Sequence, residues 1–102
     1  MITFVRTADI HDGKAPMAVE WALKVAAYIN EKYGTNVGIQ QNVGGKVNQV
    51  HWVNMYETMN EALELGAKLN MDEGFQQMMS EAGEQGLFAA NSVVDNYYQS
   101  IP

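Results

Sequence analysis

The sequence predicts an α+β fold, one antiparallel sheet carrying its helices on a single face. Three observations lead there. A central stretch, Asn36–Glu61, reads as strand, glycine turn, strand and the capped start of a helix. Helical periodicity lies on both sides of that stretch, and β-rich runs stand at the start and near the end of the chain.

In chain order, Ile2–Ala8 is β-branched and aromatic and forms a first strand. Asp9–Lys14 turns the chain through Asp12-Gly13. Pro16 then suits a first helical turn, and Ala18, Ala22, Val25 and Ile29 make one apolar stripe as far as Tyr33, with Gly34 as the C-terminal stop.

The hairpin follows. Val37, Ile39, Gln41 and Val43 alternate with Asn36, Gly38, Gln40 and Asn42, a half-buried strand pattern. Gly44-Gly45 accepts the positive φ angles of a two-residue turn, and Val47–Tyr56 returns as the second strand. That turn would set Ile39 against Val50 and Val37 against Trp52. Opposed residues share a face. One face then holds Val37, Ile39, Val43, Val50, Trp52 and Tyr56, with Gln41, Asn48 and Asn54 among them. The other holds Gly38, Gln40, Asn42, Val47, Gln49, His51, Val53 and Met55.

Thr58-Met59-Asn60-Glu61 matches a capping box. Ala62, Leu65, Gly66 and Leu69 stripe the helix it opens. Asp72 can cap a shorter helix bearing Phe75, Met78, Met79 and Ala82. Gly83 and Gly86 release the chain into Leu87–Val94, the expected last strand, before a short aromatic tail. The order is the ferredoxin-like βαββαβ plan, a four-stranded antiparallel sheet in one domain, residues 1–102.

Composition narrows the functional classes. Apolar residues make up 47% of the 102 residues, enough for a packed core. A net charge of −6 with a single arginine argues against nucleic acid and anionic membrane surfaces as partners. No apolar run is long enough to span a bilayer. The first residues lack a signal-peptide layout, and there is no cysteine, so the expected location is cytoplasmic.

Helices on one face leave the other face bare, and valine and methionine beside His51 make that face too apolar to stand in water. A second copy packing sheet on sheet is the economical cover, so the expected partner is the chain itself, as a homodimer. His51, surrounded by Gln40, Asn42 and Gln49, is the candidate general base. The alternative is an interface histidine hydrogen-bonded across the seam. Arg6 is the second candidate catalytic group, able to clamp a carboxylate or enolate bidentately, or else to pair with an acidic residue. Gln40, Asn42, Gln49, Val53 and Met55 are the expected ligand contacts. Asp9, His11 and Asp12 have metal-like composition but match no ligand spacing, so no metal is expected. No phosphate loop, dinucleotide fingerprint or Ser-His-Asp pattern occurs, and no cofactor is expected.

The segment from His51 to Met79 resembles the dimeric α/β-barrel proteins, in particular NIPSNAP-like and antibiotic-biosynthesis-monooxygenase-like members. Trp52, Tyr56, Thr58, Asp72 and Phe75 fall where those proteins carry an aromatic-rich strand end, a helix cap, and an acidic and an aromatic residue opening a short helix. Gly13, Lys14, Ala18, Trp21, Ala22 and Val25 resemble their first-helix entry. The resemblance implies a dimeric α/β barrel, and the mixed face of the hairpin suggests a cavity near the sheet, between sheet and helices or within the barrel, that binds a small, partly apolar molecule. The alternative implication of the resemblance is a cofactor-independent monooxygenase or isomerase using His51 as base.

Overall fold

The computed structural model describes residues Met1–Pro102. Seven elements follow one another: β1 (Ile2–Asp9), α1 (Ala15–Tyr33), β2 (Gly38–Gln41), β3 (Gln49–Tyr56), α2 (Met59–Asn70), α3 (Glu73–Gln85) and β4 (Val94–Gln99). They form one antiparallel sheet in the order β2-β3-β1-β4 with helices on one side, the ferredoxin-like α+β arrangement that the order of elements predicts.

Local chemistry sets the helix ends. Gly34 closes α1 in the left-handed conformation, φ 67°, its N–H bonded to the Asn30 carbonyl. At the start of α2, Thr58 Oγ1 accepts from Glu61 N at 3.3 Å, while the Glu61 carboxylate accepts from Glu57 N at 3.2 Å, one residue before the expected partner. Asp72 caps α3 by accepting from Phe75 N at 2.8 Å.

Asp72 also ties three helices together. Its carboxylate accepts from Tyr28 Oη at 2.6 Å and Tyr33 Oη at 2.5 Å, and pairs with Lys32 Nζ at 2.7 Å. Lys32 first, then the two phenols, holds the carboxyl well below the usual carboxylate range, and Asp72 in turn raises the Lys32 ammonium. Gly74 makes room for this knot: a Cβ there would lie 2.2 Å from Tyr28 Oη.

The core lies between α1 and the middle of the sheet. The predicted stripe of Ala18, Ala22, Val25 and Ile29 is buried, and Trp21, Val50, Trp52, Leu65, Phe75 and Leu87 complete the packing. Met71 does not join this core; it is 87% exposed at the α2 C-cap.

Two sequence expectations are corrected. Gly44-Gly45 is not a two-residue turn: β2 ends at Gln41 and β3 begins at Gln49. Ile39 therefore opposes Trp52 rather than Val50. The anchor is β1, since Ile10 N donates to the Asn48 carbonyl at 2.7 Å and Gln49 and Lys46 both bond to Asp9. Asn48 turns into the strand at φ 60°. The slip is two residues, an even number, so the division of the paired residues between the faces survives. Val43 and Val47 leave the sheet for the loop.

The last strand is also displaced. Leu87 plugs the core directly after the left-handed Gly86, and Phe88 makes a single bridge to Ile10. Ser92 Oγ then donates to the Ala89 carbonyl and accepts from Asp9 N, folding the chain before it can pair. Pairing with β1 starts at Val94 and uses the aromatic tail.

Candidate functional site

Register assigns every candidate to one side of the sheet. Arg6 opposes Trp52 and Asp95, and Ile39 opposes Trp52. These residues, with Phe4, Asn54, Tyr56 and Tyr97, share the helix side. Thr7 opposes His51, and His51 opposes Gln40. With Thr3, Val5, Gln49, Val53, Met55, Val94 and Tyr98 these line the bare side. His51 and Arg6 thus sit on opposite faces and share no site within one protomer. Alternation along β1 is the cause, since residues 6 and 7 must point opposite ways.

On the bare side His51 belongs to a directional chain of hydrogen bonds. Asp9 is its fixed acceptor, taking Gln49 Nε2 at 2.9 Å and Lys46 Nζ at 3.1 Å. Those two donors, Gln49 first, hold the Asp9 carboxyl below its ordinary value. With its amide so oriented, Gln49 Oε1 accepts from Asn42 Nδ2 at 3.2 Å. Asn42 Oδ1 then faces His51 Nε2 at 2.5 Å and needs a donor, which places the proton of the neutral ring on Nε2. Nδ1 is left to accept from Thr7 Oγ1 at 2.7 Å. Gln40, Asn42 and Gln49 share the face of the histidine, Gln40 as its register partner and Asn42 from just beyond β2. Val53 and Met55 continue the face toward its apolar end. Asp9 is engaged in this chain, and His11 Nδ1 faces the Asp12 carbonyl at 3.3 Å.

The helix side holds a cavity whose lining the sequence did not identify. It measures about 530 Å3 and lies between sheet and helices, within the range of small-molecule sites. Its wall is mainly apolar and aromatic, including Phe4, Trp21, Val25, Ile29, Trp52, Phe75, Met79 and Phe88. Trp21, Trp52 and Phe88 pack edge to face with centroids 5.5–6.1 Å apart. Trp21 Nε1 donates to the Met78 carbonyl at 2.9 Å, whereas the buried Trp52 N–H meets no acceptor.

Polar groups on the wall are few. Asn54 is buried, its Oδ1 accepting from Met55 N at 3.0 Å. Burial raises the Tyr56 phenol above its ordinary value, the Asn54 amide partly offsetting it, so this hydroxyl stays protonated at neutral pH. Arg6 and Asp95 are the charged side chains lining the cavity. They form a bidentate pair, Nε to Oδ1 at 2.7 Å and Nη2 to Oδ2 at 2.9 Å. Asp95, opposed chiefly by desolvation, raises the guanidinium above its ordinary value. The pair lies at the exposed β4 edge, where no helix packs, its side chains 38% and 33% exposed. Locating Asp95 requires the β1–β4 register, which a strand ending at Val94 does not supply. Trp52 and Tyr56 were legible as residues under the helices; their place on a cavity wall was not.

No family model matches the chain, and no curated protein matches it. Solved structures do. A NIPSNAP domain protein of uncharacterised role from Burkholderia xenovorans superposes with a TM-score of 0.80 at 17% identity, over 99% of this chain and 95% of that one. A NIPSNAP family protein from Agrobacterium tumefaciens gives 0.79 at 19% identity, over 98% and 85%. A candidate antibiotic biosynthesis monooxygenase from Nitrosomonas europaea gives 0.72 at 12% identity, over the whole of both chains. The class defined is therefore the ferredoxin-like α+β fold, in the form found in NIPSNAP and antibiotic-biosynthesis-monooxygenase-like structures. The similarity is one of backbone and does not extend to a particular activity.

Proposed function

We propose that this protein is a homodimer whose protomers each hold a small, partly apolar molecule between sheet and helices. The observation that carries the binding part is the roughly 530 Å3 cavity with its aromatic wall. Space of that size inside a chain of 102 residues forfeits packing energy that a ligand would restore. Self-association is supported by the other side of the sheet, where Met55, Val94 and Tyr98 are each more than half exposed. His51 and its amide neighbours then belong to the seam between copies, and the ligand contacts move from Gln40, Asn42, Gln49, Val53 and Met55 to the helix-side wall. The cysteine-free chain suits a reducing, cytoplasmic setting. A monooxygenase or isomerase mechanism that joins His51 to Arg6 has no support within one protomer, because the sheet stands between them.

The binding test uses N-phenyl-1-naphthylamine, whose fluorescence rises in apolar cavities, against the native protein and Gly66→Phe. Gly66 lies on α2 among the residues lining the cavity, and a Cβ there meets nothing within 4 Å, so a larger side chain at the rim starts without a clash. Saturable binding to the native chain, weakened at least tenfold in the variant, is expected; absence of binding to the native chain overturns the reading. Light scattering at micromolar concentration tests the dimer, and a monomer mass overturns it.

A further inference from the structure

We propose that Asp95 makes the cavity selective for uncharged ligands, aromatic or cyclic molecules bearing a neutral carbonyl or hydroxyl oxygen, by holding the cavity's single cation in a closed ion pair. The inference rests on the cavity being a binding site.

The lining carries one positive and one negative side chain, Arg6 and Asp95, and they are spent on each other. A carboxylate ligand would seek the bidentate edge of the guanidinium formed by Nε and Nη2. Both atoms already donate to Asp95, at 2.7 and 2.9 Å. Displacing Asp95 would leave its charge beside the incoming anion at the cavity mouth, under the repulsion of a chain with net charge −6. No lysine, histidine or second arginine lines the wall to compensate.

The pair still has donors to offer. A guanidinium carries five N–H groups, and Asp95 occupies two of them. Three remain for a neutral oxygen, which asks for a hydrogen bond but no counter-charge. Asn54 and the protonated Tyr56 hydroxyl add further neutral polar groups on the same side of the sheet. The cross-strand position explains why the arrangement persists: Arg6 and Asp95 are directly opposed in the β1–β4 register, with the Arg6 guanidinium 6.0 Å from the Phe4 ring centre. A register pair alone would stabilise β4 but would leave ligand charge unread, and that separates the two roles experimentally.

The experiment is a competition at pH 7.5, in which 2-naphthamide and 2-naphthoate displace N-phenyl-1-naphthylamine from the full-length protein. The two competitors match in shape and differ in charge. The native chain is expected to favour the amide at least tenfold. Asp95→Asn is expected to bring the naphthoate to parity with the amide or better, and Arg6→Gln/Asp95→Asn is expected to lose the naphthoate gain. Equal binding of both competitors to the native chain, or a preference for the anion, overturns the selectivity and leaves the cavity reading intact. An unchanged ratio in Asp95→Asn removes Asp95 from the role. If the reporter binds nowhere, the binding reading itself falls and takes this inference with it. The native-chain comparison needs no variant to fold.

Discussion

Leu87→Ala measures whether the segment after α3 is a core plug or merely a connector. Leu87 is completely buried, and it is absent from the cavity wall, so its removal opens a new sealed void. Three carbons leave the interior, which costs about 2.4 kcal/mol in transfer free energy alone at ~0.8 kcal/mol each. The unfilled space adds to that, and buried Leu→Ala changes run to roughly 2.7–5.0 kcal/mol. An expected loss of about 3 kcal/mol is a large part of the ~5–15 kcal/mol that holds a domain together. At about 4–8 °C per kcal/mol for a chain near 100 residues, the melting temperature should fall by ~12–24 °C. Circular dichroism melts and urea titrations at one fixed protein concentration read this, since self-association makes stability concentration-dependent. Leu63→Ala is the control, because Leu63 is 54% exposed at the cavity rim; a change of less than about 1 kcal/mol is expected there. A Leu87→Ala loss no larger than that of Leu63→Ala, with the spectrum unchanged, would refute the placement of Leu87 in the core.

Gly66 of α2 and Gly74 of α3 should respond with opposite signs. Gly66→Ala meets open space in a helix interior and should stabilise by about 0.5–1 kcal/mol, whereas Gly74→Ala drives a methyl into Tyr28 and should destabilise despite the same propensity gain, both read by urea midpoints. Acid sensitivity should follow Asp72. Its folded-state carboxyl titrates below the unfolded value, so its contribution is complete above about pH 4 and is lost as pH falls below that value. Asp72→Asn should flatten this acid limb in urea midpoints taken between about pH 2 and 6. Lys32, raised by the same contact, contributes below its unfolded value near pH 10.4 and loses that contribution above it. His51→Ala should weaken self-association in light-scattering dilution series while leaving reporter binding within about threefold, because the sheet separates His51 from the cavity.

Much of the fold was readable locally. The stripe from Ala18 to Ile29, the Thr58 and Asp72 caps and the Gly34 stop are decided by spacing and by side chains within a few residues of one another. So was the face of His51, since parity along a strand survives an even slip in register. Other features depended on residues far apart in the chain. The hairpin register followed the pairing of β3 with β1 and the grip of Asp9 on Gln49 and Lys46, not the two glycines. The site of β4 followed the burial of Leu87 and the turn at Ser92.

By itself the sequence determined the kinds of element, their order, and which residues alternate to which side, because periodicity and capping are short-range properties. Tertiary structure decided the ion pair of Arg6 with Asp95, their separation from His51, and the cavity between sheet and helices. A void is the space left when distant elements meet imperfectly, and a contact between residues 6 and 95 exists only once two strands share a register.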